Sequence, residues 1–209
     1  YSLEDVLNHK VDFPYDKERP LQLFKEYLQQ GFYPFFKEKG YFIRLQSIVN
    51  QTLENDIPTF AKMNITTAQK IKKLLYIIAK SVPFKPNFTK LATLLDINRN
   101  TVSDLMCYLE KAGMINQLRS DTEGIRLLGK VDKVYLNNTN LAYALANNVP
   151  DIGNIRETVF FSTMKATHPI VTSSVSDFSI GDYTFEIGGK NKTQKQVRDV
   201  ENAYIVKDD

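Results

Sequence analysis

NFTKLATLLDINRNTVSDLMCYLEKAGMI, residues 87–115, is the stretch that decides the fold. Its apolar residues recur at helical spacing in two runs, with inner faces formed by Leu91, Leu94 and Leu95, then by Val102, Leu105, Met106 and Leu109. Ile97 fills the turn between them, Asn98 or Asn100 can cap the second helix, and Gly113 stands where a left-handed residue would end it. The spacing predicts a helix-turn-helix, a structure common in nucleic-acid-binding proteins.

The neighbouring segments extend this pattern to a winged helix over residues 66–130. TTAQKIKKLLYIIAKSV (66–82) predicts a third helix whose inner side carries Ile71, Leu74, Leu75, Ile78 and Ala79. After the second helix, INQLRS (115–120) and IRLLGKV (125–131) flank the turn-forming DTEG (121–124), which predicts a β-hairpin.

The net charge of +3 is distributed unevenly along the chain. Residues 66–130 carry eleven Lys and Arg against five Asp and Glu, whereas residues 1–65 carry eight against nine and residues 131–209 eight against ten. The positive excess is therefore confined to the predicted winged helix, as phosphate binding would require. Scattered lysines on a solvated helix face are the alternative.

The candidates for contact with duplex DNA are the polar side chains expected on the outer surface of this unit. They are Lys90, Arg99, Asn100, Ser103, Tyr108, Arg119 and Arg126. Arg and Asn can hydrogen-bond base edges, and Ser can bond phosphate. Asp104 follows Ser103 on the same face and would repel phosphate, which favours the alternative that the unit packs against protein.

The flanking regions differ in character. Residues 1–65 predict a helical lead-in that packs on the winged helix, through Leu23, Phe24, Tyr27 and Leu28 in one helix and Ile43, Leu45, Ile48, Val49 and Leu53 in a second that stops before Pro58. Residues 131–209 alternate between predicted strands and predicted helices. Strands are expected at 133–138, 168–174, 175–180, 182–189 and 203–208, and helices at 141–147, 151–167 and 193–202.

Together these segments resemble the C-terminal half of a bacterial and archaeal family of AAA+ ATPases, where a region of uncharacterised function follows the nucleotide-binding core. The order and spacing of FKEYLQQGFYPFF (24–36), LENDIP (53–58), the helix-turn-helix, KVDKVYLNNTNLAYAL (130–145), GNIRETVFF (153–161) and SDFSIGDYTFEIGGKNK (176–192) carry the resemblance. It implies an α+β protein in which the helical segment (1–65) and winged helix-turn-helix (66–130) precede a small restriction-endonuclease-like α/β domain (131–209).

The last region holds acids in a nuclease-like order. Carboxylates on neighbouring strands bind divalent cations, and a lysine can steady the attacking water or the phosphate. The resemblance implies Glu157, Asp177, Glu186 and Lys190 as catalytic candidates, with Asp177 and Glu186 as magnesium ligands if the site is active. Gly188 stands where the lysine is expected and Asn138 where another acid is expected. These departures predict a degenerate site.

The ATPase core of that family is not in this sequence. GIRLLGKV (124–131) has the spacing of a phosphate-binding loop, but Val131 replaces the Ser or Thr that holds magnesium. We expect no cofactor in this chain, which we interpret as a fragment of a longer protein whose missing core binds ATP and magnesium. Catalysis is expected of the parent ATPase rather than of this chain, and His9 and His168 lack zinc-site spacing.

Composition predicts a soluble cytoplasmic protein. The sequence has no run of eighteen apolar residues and no charged-then-apolar leader, so we expect no membrane contact. Its single cysteine, Cys107, is expected to be buried within the second helix of the pair.

Three functions remain. The first is a DNA-binding or regulatory module of an AAA+ ATPase. The second is a metal-dependent nuclease domain of the PD-(D/E)XK type. The third is a protein-interaction module that docks on its own ATPase core or a partner through the aromatic segment 32–36.

Overall fold

The computed structural model describes residues 1–12, 19–120, 130–145, 149–193 and 197–208, which form a mixed α+β structure with small sheets. Helices α1 (Leu3–Leu7), α2 (Pro20–Gln29), α3 (Tyr41–Gln51), α4 (Ile57–Ala61), α5 (Ile65–Ala79), α6 (Phe88–Leu95) and α7 (Arg99–Lys111) come first. They are followed by strands β1 (Ile115–Arg119) and β2 (Val131–Leu136), helices α8 (Thr139–Leu145) and α9 (Ile152–Lys165), and strands β3 (Ile170–Thr172), β4 (Phe178–Ile180), β5 (Tyr183–Ile187) and β6 (Ala203–Val206).

The second helix of the lead-in is longer than predicted. A π-helical turn, Thr52–Asp56, joins α3 directly to α4, and Pro58 lies in the first turn of α4. Leu45, Val49 and Leu53 of this helix are buried as predicted, but Ile43 is 73% exposed and Ile48 39% exposed. The apolar stripe is therefore wider than the surface it packs against.

Helices α6 and α7 occupy the two helical runs of residues 87–115. The side chain of Asn98 caps α7 by accepting a 2.8 Å hydrogen bond from the Thr101 amide, and Gly113 has the left-handed φ of +68° that ends the helix. The four predicted inner residues of α7 are all buried. Two expectations were wrong, because Leu94 is 48% exposed on α6 and Cys107 is exposed on α7.

The partner strand of β1 is not the predicted one. β1 pairs with β2 in an antiparallel ribbon that runs from Ile115 opposite Leu136 to Arg119 opposite Val131. The predicted second strand, residues 125–131, lies outside the described residues except at its end. The division that we placed after Lys130 therefore falls between two strands that pair with each other. The three-domain division itself stays a prediction.

Strand β2 lies between two hydrophobic cores. Val134 and Leu136 belong to a core built mainly by the helices, whereas Tyr135 belongs to a second core with Phe161 and Phe178. Successive side chains of a strand point to opposite faces, so one strand can serve both cores. The ribbon thereby joins the helical part of the chain to the last sheet.

The last sheet has the strand order β3-β4-β5-β6, with β3, β4 and β5 antiparallel and β6 parallel to β5. Helix α9 packs on it, with Phe160 near both Phe178 and Phe185. The helix predicted at 193–202 is wrong over its described part, since residues 197–199 and 201–202 form turns. None of the helices in the described ranges is long and apolar enough to cross a bilayer.

Candidate functional site

A group of polar side chains lies where β2, α9 and the end of the β4–β5 hairpin meet. We call it the polar cluster, and its members are Lys133, Tyr135, Glu157, Ser176, Asp177, Glu186 and Lys192. All three acids predicted from the nuclease-like order are in it. Glu157 and Asp177 contact the same lysine, whereas Glu186 contacts Ser176 and Lys192.

Lys133 holds two of the acids together. Its Nζ lies 3.3 Å from Oε2 of Glu157 and 3.5 Å from Oδ1 of Asp177. The hydroxyl of Tyr135 donates to the same Glu157 oxygen at 2.8 Å. Burial alone would lower the pKa of Lys133, but the two carboxylates outweigh it and raise that pKa. Burial and the nearby Glu157 charge raise the pKa of Tyr135, so its hydroxyl remains a donor.

The other acidic contacts are also satisfied. Asp177, which directly precedes β4, accepts a 2.9 Å hydrogen bond from the Ile187 amide through Oδ2. Glu186 is only 3% exposed; it accepts a 2.6 Å bond from the Ser176 hydroxyl and forms an ion pair with Lys192. Each carboxylate of the cluster is thus bonded to a donor within the chain.

The predicted catalytic lysine does not reach the acids. Lys190 is exposed, and it is Lys192 that pairs with Glu186. A Cβ at Gly188 would lie 2.5 Å from Cβ and Cγ of Lys192, so the glycine leaves the space that the Lys192 side chain crosses. The lysine beside Glu186 is therefore Lys192, and a catalytic role for Lys190 stays a prediction.

Asn138, which occupies the position of a missing acid, has a structural role. Its side chain is almost fully buried, accepts a hydrogen bond from the Leu141 amide at the start of α8, and donates to the Tyr33 hydroxyl at 2.9 Å. It ties α8 to the aromatic segment after α2.

The polar cluster is arranged to neutralise charge. The ammonium groups of Lys133 and Lys192 lie against the carboxylates that would be magnesium ligands, Asp177 and Glu186. Among the described residues, no group of three or more His, Cys, Asp or Glu side chains has the geometry to hold a metal ion. A cation could bind here only by displacing a lysine from its carboxylate, at the cost of that ion pair.

The outward side of α7 is a second candidate site. Arg99, Asn100, Ser103, Asp104 and Cys107 are all exposed on it. The guanidinium of Arg99 lies 6.0 Å from the centre of the Phe88 ring, which gives it a support on α6. We call these five residues the α7 face. The α7 face contains the DNA-contact residues predicted at the start of the helix. It also contains Asp104, whose charge would repel phosphate.

Other predicted DNA contacts lie elsewhere. Tyr108 is half-buried at the edge of the α7 face and lines a groove of about 440 Å³ with Ile57 and Phe60. Nη2 of Arg119 is 3.7 Å from a Glu110 carboxylate oxygen. Lys90 is exposed on α6, and Arg126 lies outside the described residues.

Part of the basic excess of residues 66–130 is used within the chain. Lys70 and Lys73 donate to the carbonyls of Asp96 and Leu94, at 2.6 and 2.9 Å, and so cap the end of α6. Lys72 pairs with Glu54, and Lys85 pairs with Asp132 at 2.8 Å. The hydrogen bond from Lys85 lowers the pKa of Asp132 against the opposing effect of burial. Fewer cations are therefore available to phosphate than the count suggests.

Sequence reasoning missed Lys133, Tyr135 and Ser176, and of the two lysines that follow Glu186 it chose Lys190 rather than Lys192. The first two are two residues apart on β2 and so share one face of the strand, which is a signal that the sequence does contain. Lys192 gave no such signal, because it reaches Glu186 only through a reversal of the chain after β5.

The chain matches the model of one protein family over residues 21–151, described as a domain of unknown function (DUF8612). It belongs to this family. No curated protein and no solved structure matches it. The matched range includes α7 and its exposed face, but Glu157, Asp177 and Glu186 of the polar cluster lie beyond it.

Proposed function

We propose that this chain is a DNA-binding module that acts beside an AAA+ ATPase core. In this proposal α5, α6 and α7 with the β1–β2 ribbon form a winged helix, and α7 is the helix that contacts DNA. The sharp turn at Asp96, with a φ of +51°, and the Asn98 cap that starts α7 support it. The resemblance of the segments to AAA+ ATPases supports the placement beside such a core.

The exposure of Arg99, Asn100 and Ser103 in the first turns of α7 is the observation that carries the proposal. Recognition helices contact DNA with the residues near their N-terminus. Arginine and asparagine have the donor geometry for base edges, and serine can bond phosphate. The N-terminus of a helix also carries partial positive charge, which favours a nearby phosphate.

The available charge sets the expected strength of binding. Lys90 is exposed on α6, and Arg99 is exposed on the next helix, α7. Several other cations of this region have partners within the chain. With about three phosphate contacts, the logarithm of the binding constant would fall with a slope of about −3 against the logarithm of salt concentration. Asp104 on the same face weakens binding further by repulsion. We therefore expect moderate, strongly salt-dependent affinity.

The polar cluster acts as a scaffold in this proposal. Its lysines pair with its carboxylates, and its contacts join β2, α9 and the last sheet. Magnesium or manganese would then produce no nicking of duplex DNA. Metal-dependent nicking that Glu186→Gln abolishes would instead favour the nuclease alternative, with magnesium bound by Asp177 and Glu186.

One observation favours protein docking as a second candidate. Leu23, Tyr27, Phe36 and Phe42 line a groove of about 470 Å³ beside α2, and Phe32 next to it is 42% exposed. Glu26, Gln29, Gln30 and Lys37 complete the lining, and a groove of mixed polarity with aromatic residues suits a protein partner, for which we propose the chain's own ATPase core. Binding of that core in trans, weakened by Phe36→Ala, tests this candidate.

The exposed thiol of Cys107 fits a reducing cytoplasm.

The DNA proposal is tested by fluorescence anisotropy with a labelled duplex over a series of salt concentrations. We expect binding at low salt that weakens steeply as salt rises. Arg99→Ala combined with Asn100→Ala should raise the dissociation constant about tenfold or more, because a bidentate base contact and a phosphate contact are lost.

The matched control is Lys25→Ala combined with Lys39→Ala, which removes two exposed positive charges from α2 and the loop before α3. It should leave affinity nearly unchanged. Absence of binding by the wild-type chain at low salt, or equal losses in both double variants, would contradict the proposal.

A further inference from the structure

Glu110, in the last turns of α7, has both carboxylate oxygens engaged. Oε1 accepts a 3.0 Å hydrogen bond from the Gln117 amide, and Oε2 accepts a 2.8 Å bond from the Gln117 side chain. These contacts tie the end of α7 to β1 across the turn at Gly113. Arg119 adds a longer contact from the same strand, at 3.7 Å.

Lys165, the last residue of α9, joins a third element to this pair. Its Nζ donates to Oε1 of Glu110 at 2.8 Å and to Oδ1 of Asn116 at 3.0 Å. It also lies 5.9 Å from the centre of the Phe161 ring. One ammonium group on α9 therefore holds both α7 and β1.

The Glu110 carboxylate is ionised in this arrangement. Burial would raise its pKa, but hydrogen bonds from Lys165 and Gln117 outweigh burial and lower it. Without Lys165, a charge that is only 23% exposed would keep Gln117 and the distant Arg119 as its partners. Removing one member of such a pair costs more than the pair contributes when intact.

Helix α9 is anchored at both ends by charged contacts. Glu157 near its start binds Lys133 and Tyr135 of β2, and Lys165 at its end binds Glu110 and β1. These two residues are eight positions apart, or about 12 Å along the helix. A shift of α9 against the ribbon must therefore strain the contact with α7.

We propose that Glu110 is a positioning residue for α7 and that Lys165 couples it to α9. The pair fixes the orientation of the α7 face for DNA contact, an inference that rests on the DNA-binding function proposed above. It further implies that displacing the Lys165 end of α9 changes the affinity of α7 for DNA.

Cys107 provides a reporter for the test. It is the single cysteine of the chain, is exposed, and lies within one turn of Glu110 on α7. A nitroxide attached to it reports the mobility of α7 by electron paramagnetic resonance, with no DNA present. Lys165→Met removes the ammonium group and keeps the apolar stem that packs near Phe161.

We expect Lys165→Met to increase the mobility of the label and to raise the dissociation constant for duplex DNA about fivefold, the cost of losing a charged hydrogen bond that orders the helix. Lys165→Arg should retain both wild-type values, because it keeps the positive charge and the donors. Lys80→Met, which removes an exposed charge just after α5, should leave label mobility unchanged.

The two proposals fail in different ways. If wild type binds DNA and Lys165→Met changes neither label mobility nor affinity, the positioning role of Glu110 is overturned. If Lys165→Met mobilises the label but wild type does not bind DNA, the contact between α9 and α7 holds and the DNA-binding function is wrong. Loss of the wild-type values in Lys165→Arg would also count against positioning by charge.

Discussion

The α7 face and the polar cluster both contain residues that the sequence predicts to be functional, but their charges are used in opposite ways. Arg99 on the α7 face is exposed and stacks near an aromatic ring, whereas Lys133 in the polar cluster lies between two carboxylates. A charge that is already paired within the chain contributes to stability, and an exposed one is available to a partner. The number of charged residues in a segment does not distinguish the two.

The family match covers the α7 face whole and the polar cluster in part, since Lys133 and Tyr135 lie within it. The matched range, residues 21–151, contains the whole α7 face, while the acids of the polar cluster follow it. If the α7 face binds and the polar cluster stabilises, substitutions in one should affect DNA affinity alone and substitutions in the other should affect stability.

The largest expected effect is on stability in the polar cluster. Lys133→Met should lower the free energy of unfolding by about 2–3 kcal/mol, because two partly buried carboxylates lose their shared cation. Urea denaturation followed by circular dichroism measures it. Lys130→Met, an exposed lysine just before β2, is the control and should change stability by less than about 0.5 kcal/mol. Equal effects of the two substitutions would remove the distinction between the regions.

The next effect is on affinity at the α7 face. Lys90→Ala combined with Arg99→Ala should weaken DNA binding about tenfold, near 1.4 kcal/mol, with little change in stability. Anisotropy titrations and urea denaturation of the same samples separate the two quantities. A loss of stability comparable to that of Lys133→Met would show that these side chains serve the fold instead.

The junction between the regions should respond to acid. The folded-state pKa of Glu110 is lowered, so its ion pair with Lys165 is fully stabilising above the unfolded value of 4.5 and loses this contribution as pH falls below it. The stability difference between wild type and Lys165→Met should therefore be constant near neutral pH and shrink below pH 4.5. Thermal unfolding from pH 7 to pH 3 measures it, and a difference that grows in acid would contradict the assignment.

The smallest effect concerns Asp104. Asp104→Asn should strengthen DNA binding about twofold, or roughly 0.5 kcal/mol, because an exposed charge that repels phosphate is removed. Asp182→Asn, at the exposed turn between β4 and β5, is the control and should leave affinity unchanged. An equal gain in affinity in both variants would show that the effect comes from the net charge of the chain and not from the position of Asp104.

Local signals in the sequence were sufficient to predict the two helices of residues 87–115. The Asn98 cap, the left-handed Gly113 and the buried side of α7 each depend on residues within a few positions of one another. Periodicity identified the apolar stripe but not its width, since Leu94 and Ile43 fit the helical period and are nevertheless exposed.

The pairing of residues that are far apart in the chain could not be predicted from the sequence. Two segments after β1 have strand-like alternation, and nothing local distinguishes the one that pairs, which is β2. The same holds for the polar cluster, where the acids were recognised by their order but their lysines were not. Lys133 is 24 residues from Glu157 and 44 residues from Asp177 along the chain, so only the fold brings these charges together.

A DNA titration of three proteins over a range of salt concentrations tests the central claim most directly. Wild type, Arg99→Ala and Lys133→Met are compared under conditions where each is folded. We predict that Arg99→Ala lowers affinity and reduces the magnitude of the salt slope by about 1, while Lys133→Met matches wild type. Salt-independent or absent binding by wild type, or equal loss in Lys133→Met, would contradict the account.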